Sequence, residues 1–146
     1  MMTIGLIGGM SWESSAEYYR IINEEVAQRL GGTHSAQSLM FSVDFADIEA
    51  LQHQDRWDEA TARMIDAARR LERGGADCVL LCTNTMHKMA DSVQRSIAVP
   101  LLHIADATGT RVRERGLAAV GLLGTRSPWS KTSTGAACGS TMASRC

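Results

Sequence analysis

The stretch Asp77-Cys-Val-Leu-Leu-Cys-Thr-Asn-Thr-Met-His-Lys-Met89 decides how the chain is read. Four apolar residues, Cys78 to Leu81, form a short continuous run of the kind carried by strands buried on both faces of a parallel sheet. Cys82 follows, and then Thr83, Asn84 and Thr85, residue types that cap helices. From Met86 the spacing of Met86, Met89, Ala90 and Val93 predicts a helix. A thiol therefore stands where a buried strand ends and a helix begins, the edge at which open α/β sheets bind ligands. Free N–H groups at such a helix start favour an anion, and the same field lowers a thiol pKa toward the reactive thiolate. A substrate carboxylate held by Thr83, Asn84 and Thr85 would lie beside an activated Cys82. Buried cysteines are more often small apolar core residues, but three consecutive small polar groups have no packing role at a sheet edge.

Working outward, the preceding segment Trp57 to Arg73 is the longest helical pattern, with Ala60, Met64, Ala67, Ala68 and Leu71 on one face and Gly74-Gly75 closing it. Trp57 reads as a packing residue. Before it come a strand, Gln37 to Val43, and a short helix, Ala46 to Gln54. At the start, the strand Thr3 to Gly8 runs into Gly9, Met10 and Ser11, where small residues let backbone approach a ligand. This turn lacks the lysine of a P-loop and the full spacing of a dinucleotide fingerprint. Ser11 or Ser14 caps a helix whose stripe is Tyr18, Ile21, Ile22, Val26 and Leu30. After the Met86 helix come a fourth strand, Leu101 to Ile104, a helix from Asp106 to Arg115, and a fifth strand from Ala118 to Leu123. Alternating strands and helices at this spacing predict an α/β fold with a parallel sheet covered on both faces, a three-layer unit. Gly5-Leu-Ile-Gly-Gly9 is echoed by Gly121-Leu-Leu-Gly-Thr125, as if a second unit of the same build opens near residue 105.

Composition sets the outer limits. The 146 residues suit one ordinary domain, 45% apolar residues suffice for a core, and a net charge of −1 gives no sign of attraction to nucleic acid or anionic membrane. No apolar stretch approaches the roughly 20 residues that span a bilayer. The N-terminus enters a strand pattern at once and has no signal peptide's basic region. Four cysteines without such a signal imply reduced thiols and a cytoplasmic protein.

With those pieces placed, the sequence resembles the aspartate/glutamate racemase family, in particular its bacterial broad-specificity amino-acid racemase branch. The resemblance rests on GLIGGMSWESS at 5–15, YYRIINE at 18–24, LGGTHSAQSL at 30–39, SVDF at 42–45, LCTNTMHKMAD at 81–91, LHIADATG at 102–109 and GLLGTR at 121–126. It implies two similar α/β units facing one another across a small amino-acid substrate, aspartate, glutamate or a relative. It also implies racemisation without pyridoxal phosphate or any other cofactor, using one cysteine from each unit; a homodimer is compatible with it. On this resemblance Cys82 is the first catalytic cysteine, Thr83, Asn84 and Thr85 cradle the substrate carboxylate, and Met10 and Gln52 contact substrate. Gln52 stands where some members have a basic residue, which fits a looser side-chain preference.

The family's second cysteine, in a Gly-Cys-Thr-Glu segment, has no counterpart in this sequence. The expected organisation is a first unit over 1–104, the start of a second over 105–126, and an aberrant tail over 127–146 without strand or helix period. Back-translating the tail with chosen codons and shifting the frame by one base gives a family-like string, which points to a frameshift near codon 127. Three alternatives stand beside the racemase: a non-catalytic remnant with a partial carboxylate site, a flavodoxin-like phosphate module on the Gly8-Gly9-Met10 turn, and a zinc site from Cys78, Cys82, His87 and His103. The last has poor ligand geometry along a buried strand, so no metal is expected. His87, on the helix after the cradle, is read either as lining the site or as a surface or interhelical residue.

Overall fold

The computed structural model describes residues 1–121. Its elements run β1 (Thr3–Gly8), α1 (Trp12–Leu30), β2 (Gln37–Ser42), α2 (Phe45–His53), α3 (Trp57–Arg73), β3 (Cys78–Leu81), a 3-10 turn (Thr85–Met89), α4 (Ala90–Gln94), β4 (Leu101–Leu102) and α5 (Ile104–Glu114). The four strands form one parallel sheet in the order β2-β1-β3-β4. β1 is central, pairing Leu6 with Met40 on one side and with Leu80 on the other.

Alternation along the strands sends Ile7, Val79 and Leu81 to one face of the sheet, where they join Ile48, Ala60, Met64, Ala67, Ala68 and Leu71 in a single core cluster. The five α3 residues in that cluster are the predicted stripe, and all are buried. Small alanines at Ala60, Ala67 and Ala68 let α3 lie close to the strands, so the helix crosses the sheet at short range. Leu6, also fully buried, faces the opposite layer, on which α1 lies.

The bounds of β1, α3 and β3 match expectation. Elsewhere the structure corrects it. The α1 stripe is covered in part: Tyr18, Ile22 and Val26 are half-buried, while Ile21 and Leu30 are 49% and 54% exposed. Ser15 is the one α1 residue that is buried. β4 is two residues long, because His103 leaves the ladder to cap α5, which starts at Ile104 rather than Asp106. Residues 118–121 form no strand, and the remainder of the expected fifth strand lies outside the described residues, as does the segment 127–146 expected to be an aberrant tail. Among the described residues no helix is long and apolar enough to cross a membrane.

Candidate functional site

Parallel strands end on the same edge of the sheet, so β1, β2 and β3 deliver Gly8, Ser42 and Leu81 side by side. The β1 end is built for close approach. A Cβ on Gly8 would lie 2.6 Å from Ser15 Oγ, and one on Gly9 would lie 2.1 Å from the Val43 carbonyl. Gly9 also holds a φ of +94°, which a residue with a Cβ rarely adopts. The turn is pinned by Ser15, whose hydroxyl accepts from Gly9 N at 2.9 Å and donates to the Ser11 carbonyl at 3.1 Å. Ser11, not Ser14, is the cap of α1, accepting from Ser14 N.

On the neighbouring strand, Cys82 N donates to the Ile7 carbonyl at 2.9 Å, so the cysteine is the last residue tied to β1. The chain then bends through Thr83 and Asn84 into the 3-10 turn. The backbone N–H groups of Thr83, Asn84 and Thr85 donate to no other described residue. Three successive free donors beside a thiol make an anion-binding concavity. Asn84 is exposed and Thr85 half-buried, whereas the Thr83 side chain is buried. Gln52 reaches this corner from α2, with its amide nitrogen 3.9 Å from Met86 Sδ. Met10 joins the same neighbourhood from β1, but its side chain is sealed into the core cluster with Met86. The structure thus brings Met10, Gln52, Cys82, Thr83, Asn84 and Thr85 to one sheet edge, with Asn84, Thr85 and Gln52 open to a ligand and Met10, Cys82 and Thr83 covered, while Cys78 lies at the other end of β3.

The charge state of the thiol runs against expectation. Cys82 is fully buried, and that burial pushes its pKa up to about 12. The expected lowering by a helix start does not win. The element after Cys82 is a five-residue 3-10 turn, not the start of a long α-helix, so few peptide dipoles align on the sulfur. Cys78 is also raised, first by burial and then by Asp77. In the resting protein Cys82 is a neutral thiol.

Three neighbours of the site carry weak sequence signals. Ser15 reads as one small residue in a Ser-rich helix start, though its place four residues after Ser11 and behind Gly8-Gly9 marks it. Tyr18 reads as part of an apolar stripe, yet its phenol is raised by burial and then by the Cys82 thiol, which places it on the cysteine's side of the sheet. His87 is 2% exposed, neither a surface residue nor on an α-helix. Its Nδ1 lies 2.7 Å from the Thr83 carbonyl, and its ring meets that of His103 edge-on at 4.5 Å. Burial and then His103 lower its pKa, partly opposed by the Thr83 and Asn84 backbone. A separate cleft of about 250 Å³ runs along β2 between Phe41, Asp44, Arg63 and Arg70, away from these residues.

Known proteins share this fold. The family described as Asp/Glu/Hydantoin racemase matches residues 7–145. The broad-specificity amino-acid racemase RacX of Bacillus subtilis (strain 168) is 27% identical over 111 residues, 72% of this chain and 47% of RacX. A Yersinia pestis protein assigned as an Asp/Glu racemase has a crystal structure that superposes with a TM-score of 0.84 at 50% identity, over 86% of this chain and 55% of that one. An aspartate racemase homologue from Pyrococcus horikoshii OT3 gives 0.70 at 32% identity, over 80% and 50%. The chain spans about half the length of these relatives. A four-stranded parallel sheet in the order β2-β1-β3-β4, a cysteine closing its third strand, and a match running almost the length of the sequence agree: the chain belongs to the Asp/Glu/hydantoin racemase family.

Proposed function

We propose that this chain carries one face of a cofactor-independent racemisation of aspartate, glutamate or a related amino acid, with Cys82 as one of two proton-transferring thiols. The observation that supports it most is the run of free N–H groups at Thr83, Asn84 and Thr85 beside a buried thiol. Inverting Cα removes a proton from one face and supplies one to the other, so an acid and a base must flank the carbon. As the Cα–H bond breaks, its electron pair spreads onto the carboxylate, and fixed N–H donors stabilise the added charge. Cys82, protonated at rest, is the proton donor, and the base on the opposite face would be the thiolate of the family's second cysteine, which has no counterpart in this sequence. In the reverse direction the two sulfurs exchange roles. Gln52 faces the substrate side chain, and the backbone at Met10 closes the cradle from β1.

A second reading, a non-catalytic unit that keeps only the carboxylate site, is favoured by the neutral state of Cys82, which can supply a proton but cannot remove one. Both readings place the ligand on the same amides. Titration with L-aspartate is therefore expected to shift the Asn84 and Thr85 amide resonances, and unmoved amides would remove the site. The 146-residue polypeptide has no Gly-Cys-Thr-Glu segment, so chiral chromatography should detect no D-aspartate or D-glutamate formed from the L-isomers. Racemisation that survives dialysis and disappears in Cys82→Ala would overturn that expectation. Exchange of the Cα proton in heavy water, followed as rising pH ionises Cys82, separates the readings, since a Cys82 thiolate removes the proton from one face and a remnant does not.

A further inference from the structure

We infer that His87 is a positioning residue that aims two of the three cradle donors, the Asn84 and Thr85 N–H groups, through its hold on the two carbonyls flanking Asn84. The inference rests on the carboxylate-site reading above and adds to it what sets the direction of the donors.

A carbonyl oxygen can only accept, so the 2.7 Å contact between His87 Nδ1 and Thr83 O requires the proton on Nδ1. The backbone N–H of the same residue donates to Asn84 O at 3.2 Å. His87 therefore holds two successive carbonyls, one by its ring and one by its main chain. Each belongs to a planar trans peptide, in which C=O and N–H point opposite ways. Fixing Thr83 O aims the Asn84 N–H away from His87, and fixing Asn84 O does the same for the Thr85 N–H. Those are the two donors on residues that are not buried.

The ring is itself held. Its contact with His103 is edge-to-face with centroids 4.5 Å apart, and it is closed off from solvent. His103 carries the complementary tautomer. Its Nδ1 accepts from Ala105 N at 3.0 Å as it caps α5, so its proton sits on Nε2. His87 Nε2, with no hydrogen-bond partner among the described residues, is the unprotonated nitrogen of its ring. Each ring has its Nδ1 committed to backbone, one as donor and one as acceptor, and this pair joins the turn after β3 to the turn after β4. A merely space-filling histidine has no need of the Nδ1–H form, which is the minor tautomer of a free histidine side chain.

Nitrogen-15 spectra of the imidazoles in the intact chain at neutral pH are expected to show His87 as Nδ1–H and His103 as Nε2–H. Two variants then separate clamp from filler. His87→Asn keeps an N–H close to the position of Nδ1, whereas His87→Gln moves it out to that of Nε2. The Asn84 and Thr85 amide resonances should stay in place in His87→Asn and move in His87→Gln. Loss of one oriented hydrogen bond should weaken L-aspartate binding roughly tenfold in His87→Gln and less than about twofold in His87→Asn. An Nε2–H tautomer at His87, or equal behaviour of the two variants, overturns the inference. Absence of L-aspartate binding by the unaltered chain overturns the carboxylate site instead, and the tautomer and amide shifts still decide the part played by His87.

Discussion

Iodoacetamide at pH 7 is expected to modify Cys82 at least about thirtyfold more slowly than an unhindered thiol, and more slowly than Cys78. Raising the pKa from 9.0 to about 12 removes three decades of thiolate. The more basic thiolate is the better nucleophile, and a Brønsted coefficient of about 0.4–0.5 returns roughly one and a half of those decades. Complete burial of the side chain slows the reaction further. Position before Thr83-Asn84-Thr85 gives the opposite order, with Cys82 ahead of Cys78, and mass-spectrometric mapping of the labelled peptides decides between them. The rate at Cys82 should keep climbing tenfold per pH unit where an ordinary thiol levels off. Fast labelling at neutral pH would mean that the resting sulfur is a thiolate and that burial does not govern it.

The same shift ties stability to pH. Because the thiol's folded pKa lies above its unfolded value, its contribution is complete below about pH 9 and is lost as pH rises toward about 12. Three pH units correspond to about 4 kcal/mol over that window. Other groups titrate there too, so the informative quantity is a difference. Urea midpoints of the unaltered chain should fall faster between pH 8.5 and 10.5 than those of Cys82→Ala, which has no thiol to ionise. Parallel curves would contradict a buried, neutral Cys82.

What the sequence discloses and what it hides divide along physical lines. β3 and α3 were legible because their signals are local: a continuous apolar run, an i, i+3, i+4 stripe from Ala60 to Leu71, and Gly74-Gly75 to stop it. The cysteine's address at a strand end follows from the same signals. Its charge state does not, because two opposed terms act there. A helix terminus is worth at most about 2 kcal/mol, while burial of this thiol outweighs it with about 4 kcal/mol. Depth of burial depends on what α1 and the α5 junction bring over the site, and periodicity within β3 carries no trace of that. His87 was hidden for the same reason. Its partners are a carbonyl four residues back and a histidine sixteen residues on, and only the β3–β4 pairing brings that second ring within 4.5 Å. The stripe on α1 misled in the other direction, since helical spacing shows which residues share a face and not whether anything covers it. Among the described residues Ile21 and Leu30 stay exposed.

Gly9→Ala should cost about 4 kcal/mol of stability, and the cost can be divided experimentally. Part of it is conformational: a φ of +94° penalises any residue with a Cβ by about 1–2 kcal/mol. The larger part is steric. The new Cβ would stand 2.1 Å from the Val43 carbonyl and 2.7 Å from its nitrogen, both backbone atoms that no rotamer change can move. Val43 N donates to the Gly8 carbonyl at 3.0 Å, so making room means parting β2 from β1 at the edge where the site is built. Gly75 supplies the control, because it has the same φ of +94° and nothing within 4 Å of its would-be Cβ. Gly75→Ala therefore reports the conformational term alone, and Gly9→Ala should exceed it by roughly 2–3 kcal/mol in urea denaturation. Equal losses would show that the β1–β2 edge yields without resistance. If the edge does part, Ser15 loses the Gly9 N–H that it accepts, and Cys82, bonded to Ile7 two residues earlier on β1, shifts with it. The substitution should then weaken L-aspartate binding as well as folding, even though Gly9 touches none of the amides at Thr83, Asn84 and Thr85.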